Sequence, residues 1–278
     1  MVTETRQSRS TLRAVRRGIV RSSGPGAAVI YLSLLVLIPI AALASQAFTG
    51  GWSAFWGAFR NPESWAALKL TLLSAVIVVI VNTFAGTAIA WVLVRDRFPG
   101  KKILGALVDL PFALPTVIAG LTLLTLYGPD SPIHLDVANT RLAVWVALAF
   151  VTLPFAVRSI QPVLEELDLD AEEAAASLGA SPFTVFRRVV LPSLAPAMIS
   201  GASLAFARAL GEYGSLVLFT SGLPFKTMVA SIRIFGLFES DDYQGAAAIS
   251  LVLLVGSLAI LLALGAFRRH LTRDEVSM

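Results

Sequence analysis

Few side chains in this sequence are placed to do chemistry, and those that are lie in oily surroundings. Arg208 and Glu212 stand four residues apart inside the apolar run 193–219, so on a helix they share one face. Asp109 sits just before Pro111 and Pro115 in another apolar run. A charge at the centre of a bilayer costs about 2.5–3.5 kcal/mol on insertion scales, so each of the three must pair or face water. Two readings of Arg208 and Glu212 stay open: an ion pair that pins helix packing, or one that lines or gates a path for an ion. An arginine also offers fork-shaped donors to an oxyanion. A strong fixed site would hinder release, so a gate or pathway lining is favoured over tight binding. Asp109 belongs either to a packed proline kink or to a hinge.

Other chemistries are excluded. No Gly-x-Ser-x-Gly or His-Glu-x-x-His motif is present, and no catalytic residue is assigned. His134 and His270 lie far apart in polar segments and read as solvated. With no cysteine and no ligand cluster, no metal site is expected. The Gly-x-x-x-x-Gly-Lys-Ser/Thr loop is missing, so the chain is expected to bind no nucleotide cofactor itself.

The elements that position these charges follow from composition. Of 278 residues, 56 % are hydrophobic and 14 % charged. The mean hydropathy is +0.77. The apolar residues come in blocks near the roughly 20 residues that cross a bilayer. The chain reads as an all-α integral membrane protein with six spans, at 27–48, 66–94, 103–127, 142–157, 193–219 and 245–267. The fourth is the weakest, with Pro154 near its end. The net charge of +4 does not indicate nucleic acid, because the basic residues flank the apolar blocks.

Those basic residues set the orientation. Arg6, Arg9, Arg13, Arg16, Arg17, Arg21, Arg95, Arg97, Lys101, Lys102, Arg158, Arg187, Arg188, Arg268, Arg269 and Arg273 fall on one side. Arg60, Lys69, Arg141, Lys226 and Arg233 fall on the other. Both termini are therefore expected in the cytoplasm. A small-residue stretch at Ala41–Ser45 would suit signal cleavage, but the apolar region is long for such a peptide, and an uncleaved first helix is expected. The organisation is then a basic tail at 1–26, a membrane domain at 27–267 with a cytoplasmic loop at about 158–192, and a tail at 268–278. The first tail is expected to be unstructured up to Pro25.

The long cytoplasmic loop is helix-prone. Asp168 or Asp170 can cap a helix that Gly179 ends, and Ser181–Pro182 opens a second short one. Ala174, Ala175 and Ala176 would let another backbone approach closely. From periodicity alone, a solvated connection and a docking helix stay equally open. Beyond the fifth span, Met228, Ile232 and Phe235 could form one face of a surface helix, against a binding protein or against lipid.

The loop resembles the signature of permease subunits of bacterial ATP-binding cassette importers: Glu-Ala-Ala, three residues, Gly, nine residues, an Ile-type residue, one residue, Leu-Pro. Here Glu173, Ala174, Ala175, Gly179, Val189, Leu191 and Pro192 fill it, with valine where isoleucine is usual. The segments 95–123, 153–167 and 207–219 look like sulfate/thiosulfate permease subunits. The resemblance implies the type I importer permease fold, in a bacterial inner membrane. It implies two ATPase subunits that bind ATP and dock on the Glu-Ala-Ala loop, a second homologous permease, and an extracytoplasmic sulfate- or thiosulfate-binding protein. A molybdate or tungstate permease is the nearest alternative. An ATP-independent secondary transporter is disfavoured because related halves are not visible.

Overall fold

The computed structural model describes Gly26 and residues 29–276, with side chains only as far as Arg269. The tail arginines up to Arg21, and the side chains of His270 and Arg273, lie outside the described residues. Among the described residues all regular structure is helical. The helices are α1 (Val29–Ala47), α2 (Gly51–Arg60), α3 (Pro62–Arg95), α4 (Lys101–Ala113), α5 (Thr116–Tyr127) and α6 (Arg141–Glu166). They continue as α7 (Leu169–Ser177), α8 (Pro182–Leu210), α9 (Gly214–Thr220), α10 (Ala230–Glu239) and α11 (Tyr243–Val276). α1, α3, α6, α8 and α11 are long and apolar enough to cross a membrane, and α4 with α5 would add a sixth, bent span.

α3 shows why these helices belong in lipid. Its buried positions include Ser64, Ala67, Thr71, Ser74, Ala75, Asn82, Gly86 and Ala90, which are small or polar. Leu73, Ile80, Val81 and Phe84 point outward. That is the reverse of a soluble helix. It suits a medium as apolar as leucine, where small residues let backbones close and polar groups bond across the seam. Trp145 Nε1 donates to Ser74 Oγ at 3.1 Å, and Asn82 Nδ2 donates to Ala149 O at 2.9 Å and Thr152 Oγ1 at 2.8 Å. Nearer the other end, Ala90 and Leu93 share a cluster with Ile160 and Leu164. Residue numbers rise together along both helices, so α3 and α6 run parallel.

The chain must therefore return between them, and α4 with α5 makes that return. α8 runs antiparallel to α6: Val190 and Leu194 cluster with Ile160 and Leu164, while Phe206 and Ala209 cluster with Val144 and Leu148. α11 comes back along α8, with Arg268 Nη1 2.9 Å from Ser200 Oγ. α1 lies antiparallel on α11 through Ala47 with Ala247 and Leu43 with Leu251.

Four expectations need correction. The fourth span is not short: α6 runs 26 residues, through both Pro154 and Pro162, or about 39 Å at 1.5 Å per residue. The third span is not one helix: α4 and α5 meet at 118°. Leu114 precedes Pro115, which disfavours the helical region for it, and it is extended at φ −89°, ψ 129°. The fifth span does not run to 219, because α8 stops at Leu210 and α9 restarts at Gly214. The helix opened by Ser181–Pro182 is not a separate short one. It continues through a π-helical turn at Phe186–Val190 into the span as α8.

α5 and α9 touch backbone to backbone at two glycines. A Cβ on Gly120 would sit 2.6 Å from Ser215 O, and one on Gly214 would sit 2.3 Å from Thr116 Oγ1. Gly120→Ala and Gly214→Ala should each destabilise the purified protein by about 1–3 kcal/mol, the usual cost of overpacking. Gly211→Ala, with nothing within 4 Å, should melt like the wild type. Thermal melting in detergent reads all three.

Candidate functional site

The break after α8 holds the most buried charge among the described residues. Glu212 is 2 % exposed and lies in the non-helical step between Leu210 and Gly214. Its Oε2 accepts from Arg208 Nη2 at 2.6 Å. Its Oε1 accepts from Ser215 N at 2.8 Å and Ser215 Oγ at 2.7 Å. The carboxylate thus bridges the last turn of α8 to the first turn of α9, capping the exposed donors of a new helix. Its backbone is satisfied too: Ser231 Oγ, from α10, donates to Glu212 O at 2.6 Å. The structure brings Arg208 and Glu212 together as expected, but across a helix break and not on one helical face. Because α8 begins at Pro182, Arg208 lies about 39 Å along it.

Asp109 is elsewhere. It sits on α4 and takes a two-pronged contact from Arg158 of α6, with Nε to Oδ1 at 2.7 Å. Arg158 also donates to Gly105 O at 3.0 Å and to Gln161 Oε1. This pair ties α4 to α6 and remains partly exposed. A cavity of about 910 Å³ between α1, α8, α10 and α11 has a mostly apolar lining that includes neither Arg208 nor Glu212. It does not suit an oxyanion. The surface helix expected near Phe235 is α10, but Met228 precedes it, and its buried positions are Ala230 and Leu237.

The opposite end of the bundle carries α7. Asp168 Oδ1 accepts from Asp170 N at 3.0 Å, and Asp170 and Glu172 occupy the acidic first turn. Gly179 adopts φ +86°. Around it Gly179 N donates to Ala176 O at 2.9 Å and Ala180 N donates to Ala175 O at 3.1 Å, the paired closure of a Schellman motif. Ser181 then caps α8 by accepting from Thr184 N at 3.3 Å. Glu173 and Ala174 are exposed and Ala175 is half-buried. Val189, Leu191 and Pro192 lie on α8, so the motif is divided between two helices. Leu178 is 90 % exposed and Phe183 70 % exposed, flanking the glycine turn.

Sequence reading missed what holds α7 in place. Arg95, at the end of α3, forms an ion pair with Glu172. Its guanidinium lies 5.5 Å from the Trp91 ring centroid, and Trp91 meets Phe186 edge-on. A cavity of about 370 Å³ beneath α7 is lined by residues including Trp91, Glu172, Ala176 and Phe186. Nothing in one sequence pairs residues 77 positions apart. The Glu212–Ser215 spacing, in the stretch Gly211-Glu-Tyr-Gly-Ser215, did carry a capping signal.

A polytopic helical bundle, with broken helices joined by a buried ion pair and an apolar-tipped helix projecting from one end, has the architecture of a membrane transport component. Residues 82–273 match the family described as "Binding-protein-dependent transport system inner membrane component", and the chain belongs to it. It is 46 % identical over 241 residues to the sulfate transport system permease protein CysT of Synechocystis sp., covering 84 % of each. It is 41 % identical over 258 residues to the protein of the same name from Escherichia coli K12, covering 90 % of this chain and 93 % of that one. The fold is shared with a bacterial alginate ABC transporter bound to its periplasmic protein, at TM-score 0.74 and 18 % identity over 94 % of this chain and 96 % of that one. The inward-facing MetNI methionine ABC transporter aligns at TM-score 0.55 and 15 % identity, over 75 % and 94 % of the two chains.

Removing one member of the buried pair should be costly. Glu212→Ala strands Arg208 and two donors of Ser215, and should lower stability by about 3–5 kcal/mol. Glu212→Gln, which keeps an acceptor for Ser215, should lose less. Equal melting temperatures for Glu212→Ala and wild type would show that the break is held by other contacts.

Proposed function

We propose that the chain is the transmembrane permease subunit of an ATP-driven importer of the type I fold that moves sulfate or thiosulfate into the cytoplasm. The observation that carries this reading is the Glu173–Gly179 segment, an exposed helix with apolar tips clamped to α3. It occurs in a chain whose sulfate-permease relatives match along most of its length. In this reading α4 and α5 count as one crossing, giving six spans. The basic end that carries α7 faces the cytoplasm with both termini, a reading that the distribution of Lys and Arg supports.

The chain binds no nucleotide itself. Two ATPase subunits supply the energy, seating α7 and its motif residues Glu173, Ala174, Ala175 and Gly179 in a cleft. Val189, Leu191 and Pro192 set the start of the rod that α7 moves. A binding protein delivers the anion to the opposite face, and a second homologous permease completes the path. ATP-driven closure of the ATPases pulls α7, the bundle opens outward, and hydrolysis resets it. Arg208 and Glu212 line or gate the path, because the break they bridge is where α8 and α9 can change their angle. Asp109, latched to Arg158, serves the inner half in the same way. The apolar lining of the cavity between α1, α8, α10 and α11 supports placing the path elsewhere.

Labelled-sulfate uptake by the reconstituted complex tests the substrate: unlabelled sulfate and thiosulfate should compete, and competition by molybdate alone would overturn the ranking. Arg208→Ala should abolish uptake at normal assembly and membrane level, whereas normal uptake would remove it from the path. Gly179→Val should uncouple ATP hydrolysis from uptake, because a β-branched residue is strained at φ +86°. Gly179→Asn, which tolerates positive φ, should retain more coupling.

A further inference from the structure

The other end of the molecule carries a feature that transport leaves unused. α2 reads GWSAFWGAFR, and its rings form a continuous ladder that extends back to Phe48 in the preceding turn and on to Trp65 in α3. Phe48 stacks on Trp52 at 5.5 Å, and Trp52 meets Trp56 edge-on at 5.9 Å. Trp56 meets Phe59 at 5.6 Å, and Phe59 meets Trp65 at 5.2 Å. Phe55 turns inward, against Ala47, Ala247 and Ala248, and Phe59 is half-buried against the cluster of Leu68 and Leu237. Trp52 is 64 % exposed, and Trp56 and Trp65 are exposed beside it.

We propose that this face is an anchor that lies on the phospholipid leaflet opposite α7, with the three indoles at headgroup depth. Connectivity fixes the level. Three residues join α2 to α1, and Asn61 alone joins it to α3, so α2 lies where one span emerges and the next enters. The indole chemistry fixes the medium. Among the described residues the N–H groups of Trp52, Trp56 and Trp65 find no acceptor, unlike that of Trp145, which donates to Ser74. In hydrocarbon three unmet donors would be costly, and in water the contiguous rings would be. The headgroup region offers ester and phosphate oxygens above and acyl chains below, which satisfies both parts of an indole. Charge agrees. Arg60 ends α2 and Lys69 follows Trp65 by one turn; both are exposed and neither has an ion-pair partner among the described residues. Two free cations beside the rings suit lipid phosphate. The inference does not depend on the transported anion or on the role of α7.

The test is tryptophan quenching in the assembled complex, reconstituted into phosphatidylcholine vesicles brominated either near the carbonyls or near the chain ends. The emission lost in Trp52→Phe, Trp56→Phe and Trp65→Phe, made singly so that the face is never stripped, isolates each indole. Near-carbonyl bromine should quench that fraction at least twofold more than chain-end bromine, with little quenching by aqueous iodide. Equal or deeper quenching, or strong iodide quenching, would overturn the proposal. So would iodide protection that arises only when the extracytoplasmic binding protein is added, since the face would then be a protein-docking surface.

Discussion

Hydrocarbon supplies no hydrogen bonds, and almost every choice in this fold follows from that. A polar group inside the membrane must find its partner within the protein. α3 therefore turns Ser74 and Asn82 inward and leaves Leu73, Ile77, Ile80 and Phe84 on the outside. The seam with α6 is held by small residues and a few cross-helix hydrogen bonds, each worth about 0.6–1.7 kcal/mol. Burial of large side chains, the main stabiliser of a soluble core, offers little here because lipid is as apolar as the interior.

Under that constraint a broken helix is expensive unless its ends are covered, and this chain breaks two. At Leu114–Pro115 the cause is steric: proline disfavours helical angles in the preceding residue, and Leu114 is extended. At 211–213 the cause is chemical. Glu212 gives its carboxylate to Arg208 and Ser215 and its carbonyl to Ser231, which replaces the ladder that the break removes. A buried ion pair is seldom favourable on energy alone, since desolvation offsets the attraction. A packed apolar turn would be cheaper, and it would also be unable to open. Charge and polar contacts can be exchanged for water when a path hydrates, which is the physical reason to place such a pair where helices change angle.

Much of this was legible in the residues. The long apolar blocks, the caps at Asp168 and Ser181, the glycine stop at 179 and the pairing of Arg208 with Glu212 all depend on local pattern, and each is present. The errors share one origin: a hydropathy block measures how much chain is oily, not whether its axis is straight. The 103–127 block is apolar apart from Asp109 yet bends by 118°, while the 142–157 block understates a helix that continues through polar residues to Glu166. The pairs Arg95–Glu172 and Arg158–Asp109 bring together residues far apart in the chain, and no periodicity could have linked them.

The least expected feature is also the one that makes the proposed mechanism mechanical. A nine-residue helix such as α7 is too short to be stable alone in water. As a lever it needs external stiffening, which its cap, its Schellman closure and the Arg95 clamp provide. Two separate short helices meeting at a glycine bend, as the sequence suggested, would dissipate any push. Instead α8 runs unbroken from Pro182, beside α7, to Leu210, beside the Glu212 break. Its 29 residues make a rod of about 43 Å. In the proposed mechanism, displacement of α7 then tilts a single rigid element whose far end carries Arg208, so handle and gate are opposite ends of one helix and need no chain of intermediate contacts between them.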